Sequence, residues 1–266
     1  MLTATPTRGA PVIHYAVAGR EDAEVLVLGP SLGTDLTMFD AQVDGLADRY
    51  RVVRFDLRGH GRSPVEPGPY SMADLAGDVV EVLDHLGVRR CHYLGVSIGG
   101  AIGQWLALHH PDRLITLTVC ATAAQFCDPP SWAERAAVVR AEGTAAMLPS
   151  RLGTWVTHSF ACHRPQEAER LAEMLLATSA EGYAGCCEAI GAFDVRAELG
   201  RITTPTLVLA GAEDPATPVD MVRAVADGIP GSLFTVVPDA AHLLTTERPE
   251  VVNAMVAGHL ARRVHA

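Results

Sequence analysis

The stretch YLGVSIGG, residues 93–100, begins like a buried strand and ends in a run of small residues around one serine, Ser97. The strand-like pattern ends at Val96, and helical spacing begins directly after the serine. Gly95 and Gly99 complete a G-x-S-x-G pattern, in which a strained turn lifts the serine hydroxyl above the end of a sheet. The stretch is therefore typical either of an ordinary strand-to-helix turn, which also needs small residues, or of a turn that presents a nucleophile.

Strand and helix patterns alternate on both sides of this turn. β-Rich apolar runs predict strands at 12–19, 24–30, 51–59, 90–96, 114–122, 205–211 and 232–238. Helical spacing predicts helices at 38–50, 72–87, 98–110, 219–229 and 248–263. Strands separated by helices form right-handed βαβ units, which predicts an α/β fold with a mostly parallel central sheet covered on both faces. The short connections between the first strands allow antiparallel pairing there.

The alternation breaks between residues 124 and 200, where helical stretches follow one another with no clear strand between them. We expect this block to be an insertion between two strands that forms a helical cap over their carboxyl ends. The predicted organisation is a core of residues 1–123 and 201–266 with a cap of residues 124–200.

The composition excludes several kinds of partner. The 266 residues carry a formal net charge of −10, and all 21 basic residues are arginines. Nucleic acid and anionic membranes are bound through basic surfaces, so we expect neither as a partner. No apolar run approaches the roughly 18 residues of a membrane span, and the first residues lack the pattern of a secretory signal. We therefore expect a cytoplasmic protein whose six cysteines are free thiols.

Two residues far along the chain complete a candidate catalytic triad with Ser97. A serine hydroxyl needs a base to take its proton, and His242 follows the last predicted strand by a short loop. Asp214 follows the preceding strand and can orient the histidine and stabilise its imidazolium. The order serine, aspartate, histidine is the chain order described for α/β-hydrolases. Glu213 is the alternative acid; Asp214 is favoured because Pro215 fixes the turn after it.

An oxyanion formed on attack by Ser97 needs backbone donors. The N–H of Ile98 opens the helix after the serine, where the helix dipole also favours negative charge. A second donor is expected from the loop LGPSLGTD (28–35), which follows the second strand; Leu32 is our candidate. The alternative for this loop is a plain Gly/Pro turn.

Nearly the whole chain carries motifs of one family. RGHGRS (58–63) and the serine turn are shared by many hydrolases, whereas SLGTDLTMF (31–39), SWAER (131–135) and GYAGCCEAI (182–190) are more specific. On these stretches the chain resembles the α/β-hydrolases and, more narrowly, the 3-oxoadipate enol-lactonases. The resemblance implies hydrolysis of the ring ester of 3-oxoadipate enol-lactone to 3-oxoadipate, in the β-ketoadipate pathway of aromatic breakdown. We expect no cofactor and no metal.

The substrate implied by this resemblance is a small lactone that carries a free carboxylate. An arginine fork can bind both oxygens of such a group. Trp132 and Arg135, at the start of the predicted cap, are therefore our candidate substrate contacts. The alternatives are packing of Trp132 between cap and core, and an ordinary exposed Arg135 or one paired with Glu134 or Asp128.

Two other functions remain open from the sequence. A triad does not determine its substrate, so a different carboxylesterase, lactonase or perhydrolase can use the same scaffold. A ligand-binding receptor that keeps the site without turnover is the alternative from another class.

His109 and His110 are adjacent, so on a helix they point in different directions and make a poor metal pair. His60 is better explained by hydrogen bonding within its own loop.

Overall fold

A computed structural model describes residues 13–261 of the chain, apart from the side chain of residue 152. The first residue of the first predicted strand and residues 262 and 263 of the last predicted helix lie outside this range. Within it, no helix is both long enough and apolar enough to pass through a membrane. All six cysteines fall inside the described range and are unpaired thiols.

Seven strands of the described range form one sheet in the order β1-β3-β2-β4-β5-β6-β7. Their bounds are β1 (Tyr15–Gly19), β2 (Val25–Gly29), β3 (Arg51–Phe55), β4 (Cys91–Val96), β5 (Leu114–Cys120), β6 (Thr206–Gly211) and β7 (Leu233–Val237). β1 runs antiparallel to β3, and every other neighbouring pair is parallel. The predicted mostly parallel sheet is confirmed, although β1 pairs with β3 and not with β2, which follows it in the chain.

The described range also contains eleven α-helices, several of which pack on this sheet. In chain order they are α1 (Asp40–Leu46), α2 (Met72–His85), α3 (Ile98–His109), α4 (Pro129–Glu142), α5 (Leu148–Trp155), α6 (His158–His163), α7 (Pro165–Ala177), α8 (Ala180–Gly191), α9 (Val219–Gly228), α10 (Leu244–Glu247) and α11 (Pro249–Leu260). α3 packs on β2, β4 and β5 and also contacts α2, while α11 packs with α1. β2, β4 and β6 are buried along their whole length, as strands covered on both faces should be.

Two predicted elements are shorter in the structure than their sequence patterns suggested. The predicted helix at 38–50 is a 3₁₀ turn, Leu36–Phe39, followed by α1. The predicted strand at 51–59 ends at Phe55, because the Asp56 carboxylate accepts backbone N–H groups from Leu36 and Arg62 and draws the chain into a loop. The long apolar pattern there reflects buried loop residues that are not part of a strand.

Five helices, α4 to α8, lie between β5 and β6. The chain enters and leaves this block side by side, where Gln125 and Asp194 form an isolated antiparallel bridge. Beside that bridge the N–H of Val195 donates to the carbonyl of Ala124 at 2.9 Å. We propose this bridge as the neck of the helical cap predicted for residues 124–200.

The order of the strands positions the site. The chain passes from β2 to β3 and then returns to place β4 on the other side of β2, so a crevice opens between the carboxyl ends of β2 and β4. The loops after these two strands carry Leu32 and Ser97. The loops after β6 and β7 carry Asp214 and His242 at the same edge of the sheet.

Candidate active site

Ser97 sits in a strained turn between β4 and α3. Its φ of 58° and ψ of −117° fall in a region that residues with a side chain rarely adopt and that is often found at functional sites. Its N–H donates to the carbonyl of Cys120 at 2.9 Å, and its own carbonyl accepts the Thr122 hydroxyl at 2.8 Å. These bonds to the neighbouring strand and loop hold the turn, and Ser97 is only 7% exposed.

The glycines beside the serine allow close backbone packing. A Cβ on Gly95 would overlap the carbonyl of Gly99, and a Cβ on Gly99 would overlap the carbonyls of Gly29 and Pro30. The start of α3 therefore rests directly on the end of β2. This contact also brings the loop after β2 next to Ser97.

Replacing Gly99 with alanine is expected to lower the free energy of unfolding by about 1–3 kcal/mol, because the new methyl group has no space against backbone atoms. The matched control is Gly77→Ala in α2, where a Cβ meets no atom within 4 Å. That variant should be unchanged or about 0.5–1 kcal/mol more stable, since alanine is the better helix former. Denaturant unfolding measures both values, and equal stability of the two variants would contradict the close packing.

Asp214 and His242 form a buried pair. The His242 Nδ1 and the Asp214 Oδ2 are 2.8 Å apart, and the two residues are 4% and 5% exposed, respectively. The other carboxylate oxygen, Oδ1, accepts the backbone N–H groups of Ala216 at 2.8 Å and Thr217 at 3.1 Å. The neighbouring Glu213 is exposed. The structure thus brings Asp214, and not Glu213, against the histidine.

The protonation of this pair follows from its surroundings. Burial raises the pKa of Asp214, but the charge of His242 and the hydrogen bonds from His242 and Thr217 outweigh it and lower the pKa below its ordinary value. The carboxylate is therefore ionised at neutral pH and accepts the proton on Nδ1 of His242. The Nε2 nitrogen is then the one available as a base.

A cavity of about 320 Å³ brings most of the predicted residues together. Ser97 and His242 line it from the core, as does Leu32 from the loop after β2. Trp132 and Arg135 line it from α4. Asp214 lies behind His242, and its neighbours at 215–217 form part of the wall.

The two proposed oxyanion donors lie on neighbouring elements. Leu32 is held in a turn in which the N–H and the hydroxyl of Thr34 both donate to the carbonyl of Ser31, at 3.2 and 2.8 Å. Ile98 opens α3 directly after Ser97. Because the start of α3 rests on the end of β2, the N–H groups of Leu32 and Ile98 both lie in backbone beside the nucleophile. We therefore still propose these two groups as the donors to the oxyanion.

His60 fixes the loop that carries Leu32. Its Nδ1 bonds to the carbonyl of Arg58 at 2.9 Å, which confirms the predicted bond within its own loop. A carbonyl only accepts, so Nδ1 carries the proton and Nε2 accepts the N–H of Gly33 at 3.1 Å. Complete burial lowers the pKa of His60 to about 4, so the ring stays neutral at physiological pH and keeps this acceptor.

Trp132 and Arg135 form a stacked pair on α4, at the wall of the cavity. The Arg135 guanidinium lies 4.3 Å from the centre of the Trp132 ring, within the range of a cation–π contact. Trp132 also makes an edge-to-face contact with Phe126, with ring centres 5.9 Å apart, inside the segment predicted to be the cap. Among the described residues Arg135 forms no ion pair with Glu134 or Asp128.

The comparison with protein families agrees with this arrangement. Residues 24–249 match the family described as the alpha/beta hydrolase fold. The chain belongs to the α/β-hydrolase family. The expected fold class is thereby confirmed. As a member of this family, the protein is a hydrolase.

Three similar proteins indicate which members of the family this chain resembles. The 3-oxoadipate enol-lactonase 2 of Acinetobacter baylyi is 38% identical over 94% of this chain and 93% of its own length. The crystal structure of the enol-lactonase from Burkholderia xenovorans LB400 is 36% identical, with a TM-score of 0.92 over 94% of this chain and 96% of that one. A relative in Variovorax paradoxus, provisionally named carbamate hydrolase RutD, is 31% identical over 94% of this chain and 96% of its own. The predicted resemblance to enol-lactonases is confirmed.

The structure adds residues that the sequence analysis of this α/β-hydrolase missed. Thr217 donates its hydroxyl to the Asp214 Oδ2 at 2.6 Å, and its position three residues after the aspartate was a usable signal, since such turns favour a side-chain bond. Arg151 lines the cavity from α5. No local pattern distinguishes Arg151 from the other arginines between residues 124 and 200, because its position depends on how the helices of that block pack.

Among the described residues, no group of three or more His, Cys, Asp or Glu side chains is placed to hold a metal ion. His109 instead stacks on Trp105, with ring centres 3.9 Å apart.

Proposed function

We propose that this α/β-hydrolase hydrolyses 3-oxoadipate enol-lactone to 3-oxoadipate through an acyl-enzyme on Ser97. The observation that carries the proposal is one cavity in which Ser97 and His242 from the core face Arg135 from the cap. The first two residues suit attack on an ester, and the arginine suits a substrate with a free carboxylate. The similarity to two proteins named as enol-lactonases supports the same substrate.

In the first step the Oγ of Ser97 attacks the lactone carbonyl while Nε2 of His242 takes its proton. Asp214 holds Nδ1–H and stabilises the imidazolium that forms. The N–H groups of Leu32 and Ile98 bind the developing oxyanion. Removing one such donor typically costs about 2.7–4 kcal/mol of transition-state stabilisation.

Ring opening favours this substrate over a simple alkyl ester. The bond from the carbonyl carbon to the ring oxygen breaks, and His242 returns its proton to the leaving oxygen. The leaving group is an enol that becomes a ketone, so it departs more easily than an alkoxide. Since the ester is cyclic, both halves stay on the acyl-enzyme. Water then attacks the acyl carbon with His242 again as the base and releases the diacid.

The cap supplies the proposed contacts to the rest of the substrate. The carboxylate is the group that Arg135 would bind, and the Trp132 ring beneath its guanidinium holds that side chain over the cavity. The substrate is then anchored at one end while its ring carbonyl meets Ser97. Anchoring of this kind places the carbonyl for attack and contributes to rate through orientation.

We also propose the β-ketoadipate pathway of aromatic breakdown as the setting and the cytoplasm as the location. Both proposals rest on the proposed substrate, which belongs to that pathway. The expected partner is the small lactone, and the acidic charge of −10 disfavours nucleic acid.

The test generates the enol-lactone from muconolactone with an isomerase and follows its loss. We expect kcat/KM in the common enzymatic range of about 10⁴–10⁸ M⁻¹ s⁻¹. A neutral phenyl ester and a simple carbamate serve as comparison substrates. Faster turnover of either one would replace the proposed substrate, and absence of turnover on all three would favour the receptor alternative.

A further inference from the structure

Arg151 shares the cavity with the proposed catalytic residues. It lies on α5 and lines the same space as Ser97, His242 and Arg135. Arg135 comes from a different helix, α4, so two helices each contribute one arginine to the lining of this cavity.

These two arginines differ from the other arginines of the cap. Every other arginine between residues 129 and 200 is paired with a carboxylate: Arg140 with Glu181 and Glu188, Arg164 with Glu167, Arg170 with Asp40, and Arg196 with Asp194. Within the described residues neither Arg135 nor Arg151 has such a partner. In a protein with 31 acidic and 21 basic residues, two neighbouring arginines that form no ion pair within the described residues are a distinctive feature of this cavity.

Burial and a neighbouring positive charge make it energetically unfavourable for Arg151 to stay charged without an ion-pair partner. Burial lowers the pKa of Arg151, and the positive charge of Arg135 acts in the same direction. The nearby phenol of Tyr183 does not supply the charge, because burial raises its pKa to about 12, against the effect of both arginines. Partly desolvated cations without a partner bind an entering anion strongly.

We propose that Arg151 and Arg135 bind the same carboxylate of the substrate, and that Arg151 determines the preference for a carboxylated lactone over its neutral analogue. This inference rests on the proposed function for the identity of the lactone. A single carboxylate has enough acceptor positions for two guanidinium groups. Its charge also relieves the repulsion between the two arginines, so the bound anion links α4 to α5.

The experiment compares Arg151→Met with the wild-type enzyme on two matched lactones. One is 3-oxoadipate enol-lactone, and the other is α-angelica lactone, an enol-lactone with a methyl group in place of the carboxymethyl group. We expect kcat/KM to fall about 10- to 100-fold on the carboxylated lactone, mainly through KM, and to change by less than about threefold on the neutral one. Unchanged turnover of α-angelica lactone also shows that the variant is folded.

Three further variants test whether the effect of Arg151→Met comes from binding of the carboxylate. Arg151→Lys keeps the charge without the fork and should fall between wild type and Arg151→Met. The double variant with Arg135→Met should lose less than the product of the two single losses, because both residues act on one carboxylate. Arg164→Ala, a cap arginine paired with Glu167 and absent from the lining of this cavity, is the control and should match wild type on both lactones.

The outcomes separate this inference from the proposed function. If Arg151→Met affects both lactones equally, or neither, the inference is wrong even when wild type hydrolyses the enol-lactone. If wild type does not hydrolyse the enol-lactone, monophenyl adipate and phenyl hexanoate replace the pair, since they differ only in the terminal carboxylate. A preference for the adipate ester that is lost in Arg151→Met would then support the arginine pair while removing the proposed substrate.

Discussion

Replacing Ser97 with alanine is expected to lower kcat on the enol-lactone by about 10⁴-fold or more, as loss of the nucleophile does in other serine hydrolases. The variant keeps the cavity, the oxyanion loop and the Asp214–His242 pair, so it should still bind the lactone. Only the atom proposed to form the acyl-enzyme is removed. Steady-state turnover, followed as loss of the lactone, measures the effect.

The control for this variant is Ser131→Ala. Ser131 lines the same cavity, but its hydroxyl donates to the carbonyl of Asp128 at 2.8 Å. Its loss should leave turnover within about threefold of wild type, the size of effect usual for a residue that takes no part in the chemistry. The Ser97→Ala protein should also unfold at nearly the wild-type midpoint, because alanine fits the same turn. Turnover within about tenfold of wild type would remove Ser97 from the mechanism.

The serine turn could be predicted from the sequence because its requirements are local. A strand that ends at Val96, glycines at 95 and 99 and an immediate helix all lie within eight residues. Asp214 and His242, the two proposed partners of the serine, could also be predicted, since each follows a recognisable strand by a short loop. Parallel strands bring their carboxyl ends to one edge, so strand order alone places these residues near one another.

Features that depend on distant packing could not be predicted in the same way. The bond from Gly33 to His60 joins two loops 27 residues apart in the chain, and nothing in either loop identifies the partner. The pairing of β1 with β3 likewise passes over β2, the nearer strand in sequence. Arg151 reaches the cavity only through the way α5 packs, against α7. Local patterns identify elements and loop chemistry, whereas these contacts arise from the assembled fold.

Replacing Asp214 with asparagine is expected to lower kcat by about 10⁴-fold, because the histidine would be held in the wrong tautomer. The Oδ1 position accepts two backbone N–H groups, from Ala216 and Thr217. The asparagine oxygen must occupy that position, since an amide NH₂ there would face two donors. The NH₂ group is then directed at Nδ1 of His242, which must accept its hydrogen bond. The ring proton moves to Nε2, and the nitrogen that should take the proton of Ser97 can no longer do so.

The matched control is Glu213→Gln, which removes the adjacent and exposed carboxylate. It should retain nearly wild-type turnover, because Glu213 does not contact the histidine. The Thr217 hydroxyl can rotate to accept from the new amide. Asp214→Asn should therefore remain folded, with an unfolding midpoint close to that of the control. A larger loss in Glu213→Gln than in Asp214→Asn would transfer the orienting role to Glu213. Wild-type turnover in Asp214→Asn would show that the tautomer of His242 is set by another group.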